Sequence, residues 1–191
     1  IDAMPPASQG NKHQNRTYAA MIKSIDDSVG AIWNALGDLA DNTIIIFTSD
    51  NGGEAGMDGD SYTSNEPLRG DKGMCYEGGI REPFMVYWHG VTDVDYPEVT
   101  DLTCETPVSG IDLFPTILDM INPVSYDPEE YPDIDGVSIA PLLENDPDYF
   151  TRPDDALFWY YPDEGNLTTT GVVRQGDYKF IKYIDNTGVS E

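Results

Sequence analysis

Tyr18, Ile22, Ile25, Val29, Ile32 and Leu36 recur at spacings of four and three. That is the period of a helix with one apolar face, and it predicts a helix over 17–40. Gly30 inside it costs about 1 kcal/mol against alanine, and its small size is expected to serve close packing against a sheet. Asp41-Asn42 ends the helix and the β-branched run Thr43-Ile44-Ile45-Ile46-Phe47-Thr48 follows. Its apolarity is continuous rather than alternating, which predicts a strand covered on both faces, as in the centre of a parallel sheet. A helix feeding such a strand through a two-residue turn implies α/β architecture.

Beyond Ser49-Asp50-Asn51-Gly52-Gly53 the stretch 54–80 is rich in glycine and reads as a long shaped loop. Residues 83–88, Pro-Phe-Met-Val-Tyr-Trp, predict a second buried strand. A connection rich in Asp, Thr and Pro covers 90–110. Asp112 suits the cap of a helix over 113–121, with Pro115 tolerated in its first turn and Leu113, Phe114, Ile117, Leu118 and Ile121 on its apolar side. A Pro- and Asp-rich segment runs to about residue 155, within which Ile139, Leu142 and Leu143 are expected to pack a short turn. Residues 156–160 predict a strand, and 170–174 with 178–183 predict a hairpin turning at Gly176-Asp177. A two-stranded hairpin is marginal alone, so further strands are expected beside it.

Charge changes this picture. The 191 residues hold 10 Lys plus Arg against 35 Asp plus Glu, a formal net charge of −25. Such a surface repels nucleic acid and anionic membranes, and no apolar run approaches the length of a membrane span. Between Asp93 and Asp155 the single basic residue is Arg152. An acidic chain that handles an anionic substrate needs local compensation by a metal or by cationic side chains. Cys75 and Cys104 permit one disulfide without requiring it, and two unbridged thiols are the plainer expectation. Asn15 and Asn166 head Asn-x-Thr triplets, a pattern common by chance. The chain opens with Ile1 and shows no signal-peptide pattern, so a processed or cut chain is expected.

Two segments carry candidate chemistry. In open α/β sheets ligands sit beyond the carboxyl ends of strands, where Asp50 offers an anionic oxygen and Asn51 a carbonyl oxygen. Adjacent oxygen donors suit Ca²⁺ or Mg²⁺. An ordinary Asp-Asn-Gly turn closing the strand is the plain alternative, and two oxygens do not complete a metal shell. The second segment, 65–83, concentrates Arg69, Lys72 and Arg81. A lysine on a glycine-bounded loop reaches an oxyanion as a compact point charge. Arg69 and Arg81 read better as loop-fixing ion pairs with Glu77, and His13 and His89 as turn or lead-in residues.

These segments resemble the sulfatase family of the alkaline-phosphatase-like superfamily. The resemblance runs through Tyr18–Ile22, Ile25–Gly30, Asp41–Gly52, Pro67–Lys72, Tyr76–Arg81, Ile111–Thr116, Asp135–Ser138 and Arg174–Phe180, in order along nearly the whole chain. It implies an α/β fold, a sulfatase-like sheet flanked by helices and incomplete at both ends, with the start of a small carboxy-terminal antiparallel sheet. Residues 1–155 would belong to the catalytic domain and 156–191 to a sheet-edge strand and that second subdomain. It implies hydrolysis of sulfate esters of a small molecule or carbohydrate. Asp50 and Asn51 would be ligands of a divalent cation, usually Ca²⁺ with Mg²⁺ as the alternative. Lys72 would contact the sulfate and stabilise the leaving oxygen, and Asp50 would also reach toward the nucleophile.

The family nucleophile is a formylglycine made from Cys or Ser in a C/S-x-P-S-R motif, which this sequence lacks; Cys75 does not lie in one. An amino-terminal segment of the same enzyme is therefore the expected partner, and the chain alone is expected to be inactive. Family resemblance favours a secreted or periplasmic setting. A phosphonate or phosphate ester hydrolase of the same superfamily and a non-catalytic relative are the competing expectations. Glu82 departs from the valine-like residue that many relatives place before Pro83. Trp159, Tyr160 and Tyr161 either approach the pocket or pack.

Overall fold

The computed structural model describes residues 15–55, 62–92, 103–121, 127–162 and 169–184. The chain divides into two compact units, residues 1–89 and 90–191. His13 and Asn166 lie outside the described residues.

In the first unit, helix α1 spans Arg16–Leu36. It begins where the Asn15 side chain accepts the Tyr18 N–H at 2.9 Å, which satisfies one of the donors a helix start leaves without an intrahelical partner. Asn15 of the Asn-Arg-Thr triplet therefore serves as a helix cap. The helical course divides at Gly37, whose φ of +51° favours a residue without Cβ, and continues as a 3-10 turn over Gly37–Asn42. The apolar face of α1 forms as predicted, yet Ile22, Ile25 and Ile32 on it are exposed. Trp33 makes the helix's aromatic contact, edge-on to Tyr87 with centroids 4.7 Å apart. Among the described residues nothing lies within 4 Å of a Cβ built at Gly30, so no close packing is seen there.

Strand β1 (Ile44–Thr48) is followed by the short helix α2 (Glu77–Ile80) and strand β2 (Phe84–Trp88). The two strands pair antiparallel, with Ile44 opposite Trp88 and Thr48 opposite Phe84. This corrects the expectation of a parallel-sheet centre for β1, whose described partner is antiparallel and whose apolar residues are half-buried. Continuous apolarity reports two covered faces but carries no information about strand direction. His89 closes β2, with Nδ1 3.4 Å from the Tyr87 hydroxyl and 3.8 Å from an Asp41 carboxylate oxygen.

In the second unit, helix α3 (Leu113–Ile121) and the short helix α4 (Ala140–Leu143) precede strands β3 (Ala156–Tyr161), β4 (Thr169–Gln175) and β5 (Tyr178–Ile184). The strands form an antiparallel meander in the order β3-β4-β5. Phe158 stands opposite Val173, which stands opposite Phe180. The predicted hairpin is β4–β5, turning at Gly176 with φ +52°, and β3 is the further strand it needed. Ile139, Ala140, Ala156, Leu157 and Val172 are buried. Trp159 carries the Lys179 ammonium 5.6 Å from its ring centroid, while Tyr160 and Tyr161 are exposed. Neither Cys75 nor Cys104 is in a disulfide.

The start of α3 is organised by a buried carboxylate. Ser109, not Asp112, is the cap, and Asp112 closes a capping box by accepting the Ser109 N–H at 2.7 Å. Asp112 also accepts the Val137 N–H at 3.0 Å and both terminal nitrogens of Arg152, at 3.1 and 2.6 Å. The side chains of Arg152 and Asp112 are 7% and 1% exposed. The Asp112 carbonyl takes the Thr116 hydroxyl, whose oxygen in turn accepts the Ile139 N–H. The lone basic residue of the acidic stretch is thus spent inside the unit. No described helix is long and apolar enough to cross a membrane.

Removing one partner of a buried ion pair strands the other charge. Arg152→Met is therefore expected to lower the unfolding free energy by about 3–5 kcal/mol, read from urea denaturation of the protein carrying this chain.

Candidate functional site

The carboxyl end of β1 opens into Ser49-Asp50-Asn51-Gly52-Gly53, and backbone hydrogen bonds tie this exit to the loop 62–76 and to α2. The Gly52 N–H donates to the Gly79 carbonyl at 3.0 Å, and the Lys72 N–H donates to the Gly53 carbonyl at 3.3 Å. The Gly78 N–H donates to the Arg69 carbonyl at 2.7 Å. The Asn65 amide nitrogen bridges the Gly53 carbonyl at 2.8 Å and the Gly70 carbonyl at 3.2 Å.

Such close approach of three backbone segments excludes side chains. A Cβ on Gly52 would run into the Gly78 carbonyl, one on Gly78 into the Gly70 carbonyl, and one on Gly79 into the carbonyls of Met74 and Asp71. Gly70 also holds φ at +86°, a left-handed backbone that favours glycine. The glycines that marked this stretch as a shaped loop are therefore the reason its three pieces meet.

The three residues singled out from sequence, Asp50, Asn51 and Lys72, are brought to this one loop cluster. The Asn51 amide nitrogen donates to the Gly52 carbonyl at 3.1 Å, and the Ser49 hydroxyl donates to the Asn51 carbonyl at 3.0 Å. With its nitrogen committed, Asn51 keeps its side-chain oxygen available as an acceptor. Asp50 is exposed. Lys72 is held by its backbone and its side chain is exposed. The neighbouring Asp71 is buried, and its carbonyl accepts the Met74 N–H at 3.0 Å.

Arg69 is fixed by stacking, its guanidinium carbon 3.9 Å from the Tyr76 ring centroid, where sequence reasoning expected an ion pair. Sequence reasoning also gave Glu82 little part in the site. Glu82 lies in the link between α2 and β2. Burial, and after it the negative charge of Asp50, push the Glu82 carboxyl above its ordinary range. Its Oε1 is buried without a hydrogen-bond partner among the described residues.

Among the described residues no three His, Cys, Asp or Glu side chains converge as a complete metal cage. Asp50 and Asn51 offer two adjacent oxygens at a strand end, which fit as part of the six- to eight-oxygen shell of a hard cation.

Residues 2–123 match the family model described as Sulfatase. The chain is 36% identical over 162 residues to a sulfatase of Formosa agariphila, covering 79% of this chain and 27% of that protein. It is 35% identical over 166 residues to human arylsulfatase A, covering 85% and 29%. It is 35% identical over 133 residues to human N-acetylgalactosamine-6-sulfatase, covering 68% and 24%. The chain spans a little over a quarter of the length of the first two of these relatives.

Glycine substitutions separate the site frame from the helix. Gly78→Ala must displace backbone and is expected to cost about 1–3 kcal/mol. Gly30→Ala in open space on α1 is expected to gain about 0.5–1 kcal/mol. Thermal or urea unfolding of the two variants checks the opposite signs.

Proposed function

As this chain belongs to the sulfatase family, we propose that it supplies part of the cation- and sulfate-binding site of an enzyme that hydrolyses sulfate esters. The observation that carries this reading is the Lys72 N–H on the Gly53 carbonyl at 3.3 Å. It ties an ammonium-bearing loop to the segment that presents Asp50 and Asn51, the arrangement a sulfate ester anion and a divalent cation need side by side.

Asp50 and the Asn51 side-chain oxygen would hold Ca²⁺, with Mg²⁺ as the smaller alternative. A bound divalent cation would supply Lewis-acid polarisation of the ester's sulfuryl oxygens. The formylglycine would supply the nucleophilic oxygen, from an amino-terminal segment of the enzyme. What this chain's own residues do follows from charge and position. Lys72 places a fixed positive charge where negative charge develops on the sulfate and on the departing oxygen. Asn51, oriented by the bond from its amide nitrogen to the Gly52 carbonyl, presents a neutral oxygen as a ligand and adds no negative charge to the site. Arg69, stacked on Tyr76, holds the loop rather than the ligand.

One relative is named for an N-acetylgalactosamine sulfate and others for aryl or steryl sulfates. These names favour a sulfate ester over a phosphate or phosphonate ester, and a sulfated sugar is the proposed natural substrate. With −25 formal charge on the chain, the cation and Lys72 supply the local positive potential that an anionic substrate requires.

The test uses the full enzyme carrying this chain, with an aryl sulfate and an aryl phosphate as substrates. Lys72→Ala is expected to lower kcat on the sulfate by about 10²–10³-fold, with cation affinity retained. Asp50→Asn is expected to weaken Ca²⁺ binding in calorimetry. Preferential turnover of the phosphate, or wild-type kcat in Lys72→Ala, would overturn the reading.

A further inference from the structure

One side chain fastens the loop of Lys72 to the segment of Asp50 and Asn51. The Asn65 amide nitrogen donates to the Gly53 carbonyl at 2.8 Å and to the Gly70 carbonyl at 3.2 Å. Gly53 lies two residues past Asn51, and Gly70 two residues before Lys72. The Gly53 carbonyl also accepts the Lys72 N–H, but at 3.3 Å, beyond the usual range for such a bond. The Asn65 bond is therefore the firmer of the two that meet at Gly53.

Residue type matters at this joint. Both partners are carbonyl oxygens, so the nitrogen of the amide faces them and both of its hydrogens are spent. Among short side chains, aspartate brings no such donors and serine only one, while glutamine is a methylene longer. The fit is close. A Cβ on Gly53 would stand 2.6 Å from the Thr63 methyl carbon and 2.9 Å from the Asn65 side-chain oxygen, and Thr63 is buried. The Asn65 carbonyl accepts the Leu68 N–H at 2.9 Å, which steadies the backbone that carries the amide.

We infer, resting on the part given to Lys72 under the proposed function, that Asn65 is the positioning residue for that lysine. Its amide sets where the Lys72 loop stands against the oxygens of Asp50 and Asn51, and thereby the rate of sulfate-ester cleavage. Asn65 acts through two peptide carbonyls and not on the ester. A charged group displaced by about 1 Å from the charge it stabilises can cost about 10²-fold in rate. The cation side has its own ties, the Gly52 N–H on the Gly79 carbonyl and the Asn51 amide on the Gly52 carbonyl. Neither involves Asn65, so its loss strikes the lysine and spares the cation.

The experiment uses the full enzyme, an aryl sulfate, and the variants Asn65→Ala, Asn65→Ser, Lys72→Ala and the double variant Asn65→Ala with Lys72→Ala. Each is assayed below its melting temperature, and Ca²⁺ affinity is measured by calorimetry. Asn65→Ala is expected to lower kcat about 10–100-fold with Ca²⁺ affinity retained. Asn65→Ser, which keeps one donor, is expected to fall between Asn65→Ala and wild type. In the Lys72→Ala background, Asn65→Ala is expected to cost less than about 3-fold more, because residues that act as one unit are not additive.

Wild-type kcat in Asn65→Ala, beside a loss in Lys72→Ala, would overturn this inference and leave the proposed function standing. Wild-type kcat in Lys72→Ala would remove both. Additive losses in the double variant, a parallel fall in Ca²⁺ affinity, or failure of both Asn65 variants to fold would each make Asn65 a support of the whole loop cluster and overturn it as well.

Discussion

The end of β1 is held by backbone atoms packed so closely that no side chain fits between them. Gly52, Gly78 and Gly79 each face a carbonyl where a Cβ would stand, and the hydrogen bonds of Gly52, Lys72 and Gly78 run through that contact. Everything proposed for the chemistry depends on this. A lysine twenty-odd residues beyond a strand end is free to be anywhere on a loop. Its backbone is tied to Gly53 by the Lys72 N–H, and the Asn65 amide holds the Gly53 and Gly70 carbonyls together beside it. Peptide hydrogen bonds fix position without adding charge, which leaves the electrostatics to side chains such as Asp50 and Lys72.

The two units solve the problem of burying charge in different ways. In the second unit Asp112 is nearly sealed, and four donors meet its carboxylate. Such a group acts as a structural pin, joining the α3 start, the 137 turn and residue 152. Beyond the β1 end, Asp50 is exposed, and Glu82 keeps one oxygen without a donor among the described residues.

Much of this was legible in the residues. The 3.6-residue period located α1 to within a few positions, the Ile-rich run located β1, and the Gly176-Asp177 turn located the β4–β5 hairpin. Family motifs picked out Asp50, Asn51 and Lys72, and the structure brings the three segments to one loop cluster. Strand direction was not legible, because an apolar run records how many faces are covered and not which neighbour covers them. Arg152 did carry a signal, as the single cation in a long acidic stretch, but its partner could only be named once the chain had folded back on Asp112. The apolar stripe on α1 was read correctly as a stripe; Ile22, Ile25 and Ile32 on it are exposed, so periodicity foretold a face and not its cover.

The pairing of Asp112 with Arg152 spans forty residues of chain. During synthesis the acidic partner leaves the ribosome first, and at 5–20 residues per second the basic one follows on the order of a few seconds later. Throughout that interval the nascent segment contains no other Lys or Arg to stand in, since none occurs between Asp93 and Arg152. The pin is complete only once residue 152 has been made: a shorter chain holds the Asp112 carboxylate by the Ser109 and Val137 N–H groups alone, without its counter-charge.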